Sequence, residues 1–190
     1  ICAYNGHAEI VQDLLQSGAD PGLATSDNAT PLHAAAQNGH TEVVKMLLAS
    51  GAAVDPRTVK TLATPLFMAA VHGRVETVRV LIEANADVDH KTSDMGSTPL
   101  NVAAYEGHVQ AVRCLLRGGA NTETVDDDGD TALLNAAAAG SVGTCALLGM
   151  HCANMAATSP WALPHSTAVS THPVNRAPTR RSCPLGPRSH

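Results

Sequence analysis

Residues 30–52 read TPLHAAAQNGHTEVVKMLLASGA, and nearly the same sentence returns at 64, at 98 and at 131. The intervals between Thr30, Thr64, Thr98 and Thr131 are 34, 34 and 33 residues. Leucine follows two residues later in every copy, at 32, 66, 100 and 133. An alanine pair comes next, at 35–36, 69–70, 103–104 and 136–137, then glycine at 39, 73, 107 and 140. Val44, Val78 and Val112 follow, with Cys145 in the last copy, and then Leu47, Leu81, Leu115 and Leu148. Counting back by 33 finds Ala3, Gly6, Val11, Leu14, Leu15 and Ala19. A period of this size means stacked supersecondary units.

Each column has a physical reason. Thr30 is placed to cap a helix whose first residue is Pro31, where a missing N–H is harmless. The alanine pair keeps one face of that helix thin, so a second helix can lie close. Gly39 suits the left-handed residue that ends a helix. TEVVKMLLAS then sets Val43, Val44, Leu47 and Leu48 at three- and four-residue spacing, an amphipathic second helix ended by Gly51. One such pair cannot bury its apolar stripe alone, so neighbours must stack on it.

Composition agrees. Hydrophobic residues are 44% of the chain but aromatics only 2%, so the core is built from Ala, Val and Leu. That suits close helices better than a sheet sandwich. Residues 1–154 hold all 17 carboxylates and 8 of the 12 basic side chains, a net of −9; residues 155–190 hold four Arg and no carboxylate. The five cysteines (2, 114, 145, 152 and 183) are odd in number and form no C-x-x-C pair. A disulfide framework is not expected, and a reducing compartment, cytoplasmic or nuclear, is.

The pattern resembles the ankyrin repeat, whose members run T-P-L-H-x-A-A, then G-H, then V-x-x-L-L-x-x-G-A. The resemblance covers residues 1 to about 154. It implies an all-α solenoid of stacked helix-turn-helix repeats, with a hairpin finger projecting from each junction. A partial repeat spans 1–29, complete repeats start at about 30, 64 and 98, and a degenerate one spans 131–154. The first copy lacks its TPLH segment. His33 alone keeps the family histidine; Phe67, Asn101 and Leu134 replace it. Leu62 stands where Gly96 and Gly129 stand in later fingers. In the last copy Ala132 replaces Pro, Gly149 replaces the second Leu, and Gly143 falls inside the second helix. An interior Gly costs about 1 kcal/mol relative to Ala. No polar capping repeat is visible at either end, so a fragment of a longer array, or a marginally stable one, is expected.

The resemblance also implies a function: a protein-protein interaction module, a scaffold or adaptor that holds its partner along the fingers and the exposed face of the first helices. The finger positions include Lys60, Met95, Asp126, Asp127, Asp128 and Asp130. The helix-face positions before each glycine include Tyr4-Asn5, Gln37-Asn38, Val71-His72 and Tyr105-Glu106. These columns vary between copies while the core columns do not. Tyr4 and Tyr105 share one column, and tyrosine is enriched among residues that dominate binding energy; packing over an adjacent loop is the other reading. VDDDGD, residues 125–130, makes the fourth finger strongly acidic. It reads as a solvated Asp-Gly turn, or as an end that steers a partner with a basic patch. A regulatory or targeting segment of a larger enzyme is the alternative role.

Other classes find little support. There is no G-x-S-x-G elbow, phosphate loop, H-E-x-x-H helix or kinase signature, so no enzyme is expected. Of ten histidines, His7, His33, His40 and His108 fall in repeat columns, and none has zinc-type spacing, so no metal or cofactor is implied. A body of net −9 disfavours nucleic acid. No apolar run reaches membrane-spanning length, and a monomer is expected. Residues 155–190 are Pro/Ser/Thr/Arg-rich, 15 of the 36 being Pro, Ser or Thr. They read as a disordered tail, with Trp161 the one residue suited to fold back on the last repeat.

Overall fold

The computed structural model describes residues 1–158, with side chains through 153. Residues 155–158, expected to open a disordered tail, instead continue the last helix; the rest of the tail, including Trp161, lies outside the described residues. The described chain is helical, with no strand among its residues. Ten helices run in five pairs: α1 Cys2–Asn5 and α2 Ala8–Gln16, α3 Pro31–Asn38 and α4 Thr41–Ala49, α5 Pro65–Val71 and α6 Val75–Glu83, α7 Pro99–Tyr105 and α8 Val109–Arg117, α9 Ala132–Ala138 and α10 Val142–Thr158. The odd-numbered helices pack side by side in one row, and the even-numbered helices form a second row behind it.

The repeated residues do what their chemistry demands. Thr64, Thr98 and Thr131 accept on Oγ1 the backbone N–H groups of Phe67, Asn101 and Leu134, capping α5, α7 and α9. Thr30 works differently: its N–H and its hydroxyl both meet His33 Nδ1, at 3.1 and 3.0 Å. Gly39 ends α3 at φ 80°. The alanine pairs of α3, α5 and α7 are buried, and so are Leu32, Leu66, Leu81, Leu100 and Leu115. Burying one such leucine stabilises by about 1.5–3 kcal/mol. At the last pair the packing thins. Leu133 is 38% exposed, although its three counterparts are fully buried. Gly143 lies in the first turn of α10 rather than its interior, whereas Gly149 is interior and faces open space.

Exposed ion pairs decorate the second row, Lys45 with Glu42 and Arg79 with both Glu76 and Glu83. Such exposed pairs are screened by solvent and contribute little to stability. The apolar stripes set the stacking.

Candidate partner-binding surface

The surface is built from two features that recur in each repeat. One is the C-terminal end of each first helix. There the residue after the glycine reaches back over its predecessor. His40 Nε2 bonds Tyr4 O at 2.9 Å, Arg74 Nε donates to Gln37 O at 3.1 Å, and His108 Nε2 bonds Val71 O at 3.0 Å. Each reaching side chain passes over a glycine of the preceding repeat. A Cβ on Gly73 would lie 2.7 Å from two atoms of the His108 ring, and one on Gly39 would lie 2.7 Å from Arg74 Cδ. The glycine column is therefore doubly required, for its left-handed φ and for the space above it.

The other feature is the finger. Four hairpin turns close on backbone bonds from Thr25 to Ala29, Thr58 to Ala63, Thr92 to Ser97 and Asp126 to Asp130, all 3.0–3.1 Å. Successive fingers are tied together by Val59 N–H to Asp27 O, Ser93 N–H to Thr61 O and Asp127 N–H to Met95 O, at 2.9–3.0 Å. The result is a continuous strip. Side chains anchor it to the first helices: His33 Nε2 bonds Ala63 O at 3.0 Å, and Asn101 Nδ2 donates to Asp130 O at 3.3 Å. Because Nδ1 of His33 accepts from the Thr30 N–H, Nε2 carries the proton given to Ala63. Burial holds the His33 pKa below its ordinary value, against the raising effect of its backbone hydrogen bonds.

The sequence candidates separate on this frame. Tyr4, Asn5, Tyr105 and Glu106 are exposed at the ends of α1 and α7. The two tyrosine rings are about half exposed; they belong to repeats one and four, so they do not form one patch. Gln37, Asn38, His72 and Met95 are half-buried, and Asn38 Nδ2 is spent on Ala34 O. Val71 is buried and offers its carbonyl, not its side chain. Nε2 of His72 is buried without a hydrogen-bond partner. Its pKa is held low by burial first and then by the neighbouring Arg74 and His108 side chains, against the raising effect of Glu106.

In the acidic finger, Asp126 is committed to structure. Its Oδ1 accepts from the Asp128 and Asp130 N–H groups, and its Oδ2 from Asn135 Nδ2 at 2.8 Å. Asp127 seats its carboxylate against Gly96. Asp127 and Asp128 are exposed and Asp130 half-buried. Burial, followed by the charges of Asp126 and Asp128, raises the Asp130 pKa. Lys60 is exposed on the second finger. The same finger exposes Arg57 and Val59, which the repeat pattern did not single out for binding; Lys91, exposed on the third finger, donates to Val125 O at 2.6 Å. Leu62 completes the second finger's group at φ 53°, a left-handed position held by Asn28, Gly96 and Gly129 in the other fingers.

No group of three or more metal-ligating side chains occurs among the described residues. A depression of about 320 Å³ lies between α2 and α4, in the second row, lined by residues such as Leu15 and Met46. No described helix is long and apolar enough to cross a membrane.

The paired helices, the tied fingers and the glycine-spanning bridges define a repeat solenoid. The family described as ankyrin repeats (3 copies) matches residues 1–92 and 86–158, and the chain belongs to it. No curated protein matches the sequence. Ankyrin repeats are generally protein-protein interaction modules, and their fold is typically non-catalytic.

Proposed function

We propose that this chain is a protein-binding scaffold or adaptor, without catalytic activity or cofactor, that holds its partner along the finger strip and the exposed ends of α1 and α7. One observation carries the reading. Most residues of the repeating columns are buried or hydrogen-bonded between repeats, whereas Tyr4, Asn5, Tyr105, Glu106, Lys60 and Asp128, all in columns that vary, end at solvent. A surface free of folding duties is one on which binding can specify the side chains. Asp127 and Asp128 give the fourth finger a field that would steer a partner bearing a basic patch.

The net charge of −9 over residues 1–154 argues against nucleic acid as that partner. The protein acts as a monomer in the cytoplasm or nucleus, a placement supported by unpaired Cys2, Cys114, Cys145 and Cys152. α10 carries the binding array through Thr158, past the boundary expected at 154.

Site-specific photocrosslinking tests the surface. A benzophenone residue replacing Tyr105 or Asp128 is expected to capture the same protein from cell extract. The same probe replacing Arg113, exposed on α8 in the second row, is expected to miss it. Capture from Arg113 alone would place the partner on the opposite side of the array and overturn the proposal.

A further inference from the structure

We infer that the second finger is a docking point for an aliphatic side chain of a partner segment that carries carboxylates beside it. Val59 stands 65% exposed at its tip with Leu62, 38% exposed, three residues on, and the finger's own cations, Arg57 and Lys60, make no ion pair among the described residues. This rests on the reading that the fingers face the partner and adds which partner chemistry the second finger takes.

Leu62 is the unusual choice. Its backbone is left-handed, a conformation that disfavours side chains with a Cβ and that the other fingers give to Asn or Gly. Folding alone would favour Asn or Gly here too. Val59 is tied only through its backbone, to Asp27 O. An exposed aliphatic pair held at a cost to the turn is suited to being covered by another molecule.

The charges say what covers it. Arg57 and Lys91 hold the same position in successive repeats, one residue before the threonine that opens each finger, and Lys60 lies between Val59 and Leu62. Lys91 Nζ instead donates to Val125 O of the fourth finger at 2.6 Å, which leaves Arg57 and Lys60 as the second finger's cations. The carboxylates of the flanking fingers, Asp27 and Asp94, make no ion pair with these cations. A basic partner segment would leave Arg57 and Lys60 opposed by like charge, whereas carboxylates would pair with them. The strip's backbone groups are already used, Val59 N–H on Asp27 O and Thr61 O on Ser93 N–H. The segment is therefore held by side chains rather than by adding a strand. The fourth finger is acidic, so the strip is polar along its length. A segment lying on it runs with its acidic end over the second finger and its basic end over the fourth.

Amide NMR spectra of the full chain, titrated with three acetylated octapeptides, test this. EEELLEEE is expected to shift the resonances of 57–62 and 91–93 saturably. EEESSEEE is expected to bind there at least about fivefold more weakly, the loss expected for an aliphatic contact. KKKLLKKK should leave those residues unmoved. Leu62→Asn, a residue that the matching Asn28 shows the turn accepts, should weaken EEELLEEE by about the same factor while preserving the spectrum elsewhere. Three results would overturn the inference: no shift with EEELLEEE, equal binding of EEESSEEE, or shifts of 57–62 on concentrating the protein alone, which would make a second copy the occupant. Failure of KKKLLKKK to move 126–130 would count against the basic-patch reading of the fourth finger and leave the second finger's result standing.

Discussion

Replacing Gly73 by alanine separates two costs that coincide in the glycine column. Gly73 has φ 61°, and an alanine held there costs about 1–2 kcal/mol in backbone strain. Its Cβ would also sit 2.7 Å from the His108 ring, so the ring must move and lose its 3.0 Å bond to Val71 O. That bond contributes about 0.5–1.5 kcal/mol. Gly51 is the control, with φ 87° and nothing within 4 Å of a Cβ. Gly51→Ala should cost the strain alone, about 1–2 kcal/mol, and Gly73→Ala about 1 kcal/mol more. Urea unfolding followed by helical circular dichroism measures both. Removing the ring as well should show coupling, with Gly73→Ala/His108→Ala costing less than the sum of the single changes. Equal losses at Gly73 and Gly51, with additive behaviour in the double variant, would refute the bridging role of His108.

Three further outcomes follow from the packing and the titrating groups. Leu81→Ala should cost about 2–5 kcal/mol in the same urea assay, because Leu81 is fully buried in a middle repeat and stacked pairs on both sides resist collapse. Leu62→Asn should raise stability by about 0.5–1 kcal/mol in thermal unfolding by relieving a left-handed leucine, while weakening the acidic peptide, so stability and binding move in opposite directions. His33 is kept neutral by burial, so its folded pKa lies below its unfolded value of about 6.5. The unfolded chain then binds more protons, and this contribution to stability is complete above about pH 6.5 and is lost as pH falls through the lowered folded value. His33→Asn, which places in this repeat the residue that Asn101 supplies in the same column, should flatten the pH dependence of the urea midpoint in that window.

Much of this was legible in the residues because a repeat prints each constraint several times. The Thr caps, the Pro starts, the alanine pairs and the buried leucines are chemically uniform columns, and the helices fall where they require. The bridges between repeats were harder to see. His40, Arg74 and His108 share a reach over glycine rather than a residue type, so the column carries no single chemical signature. The run of carboxylates hid a division of labour, since only the fold shows that Asp126 turns inward to three donors while Asp128 stays in solvent. Val71 was placed on the outer face by its column, yet the helix end buries it. Leu62 was visible as a departure, but its exposure beside Val59 needed the finger's geometry.

The most direct test of the scaffold role compares two baits in affinity capture from cell extract: the native chain, and the chain with Tyr105→Ala, Glu106→Ala and Asp128→Asn. All three positions are exposed, so the two should be equally helical by circular dichroism. The account predicts a protein retained by the native chain and lost from the variant. The same proteins held equally by both baits would contradict it.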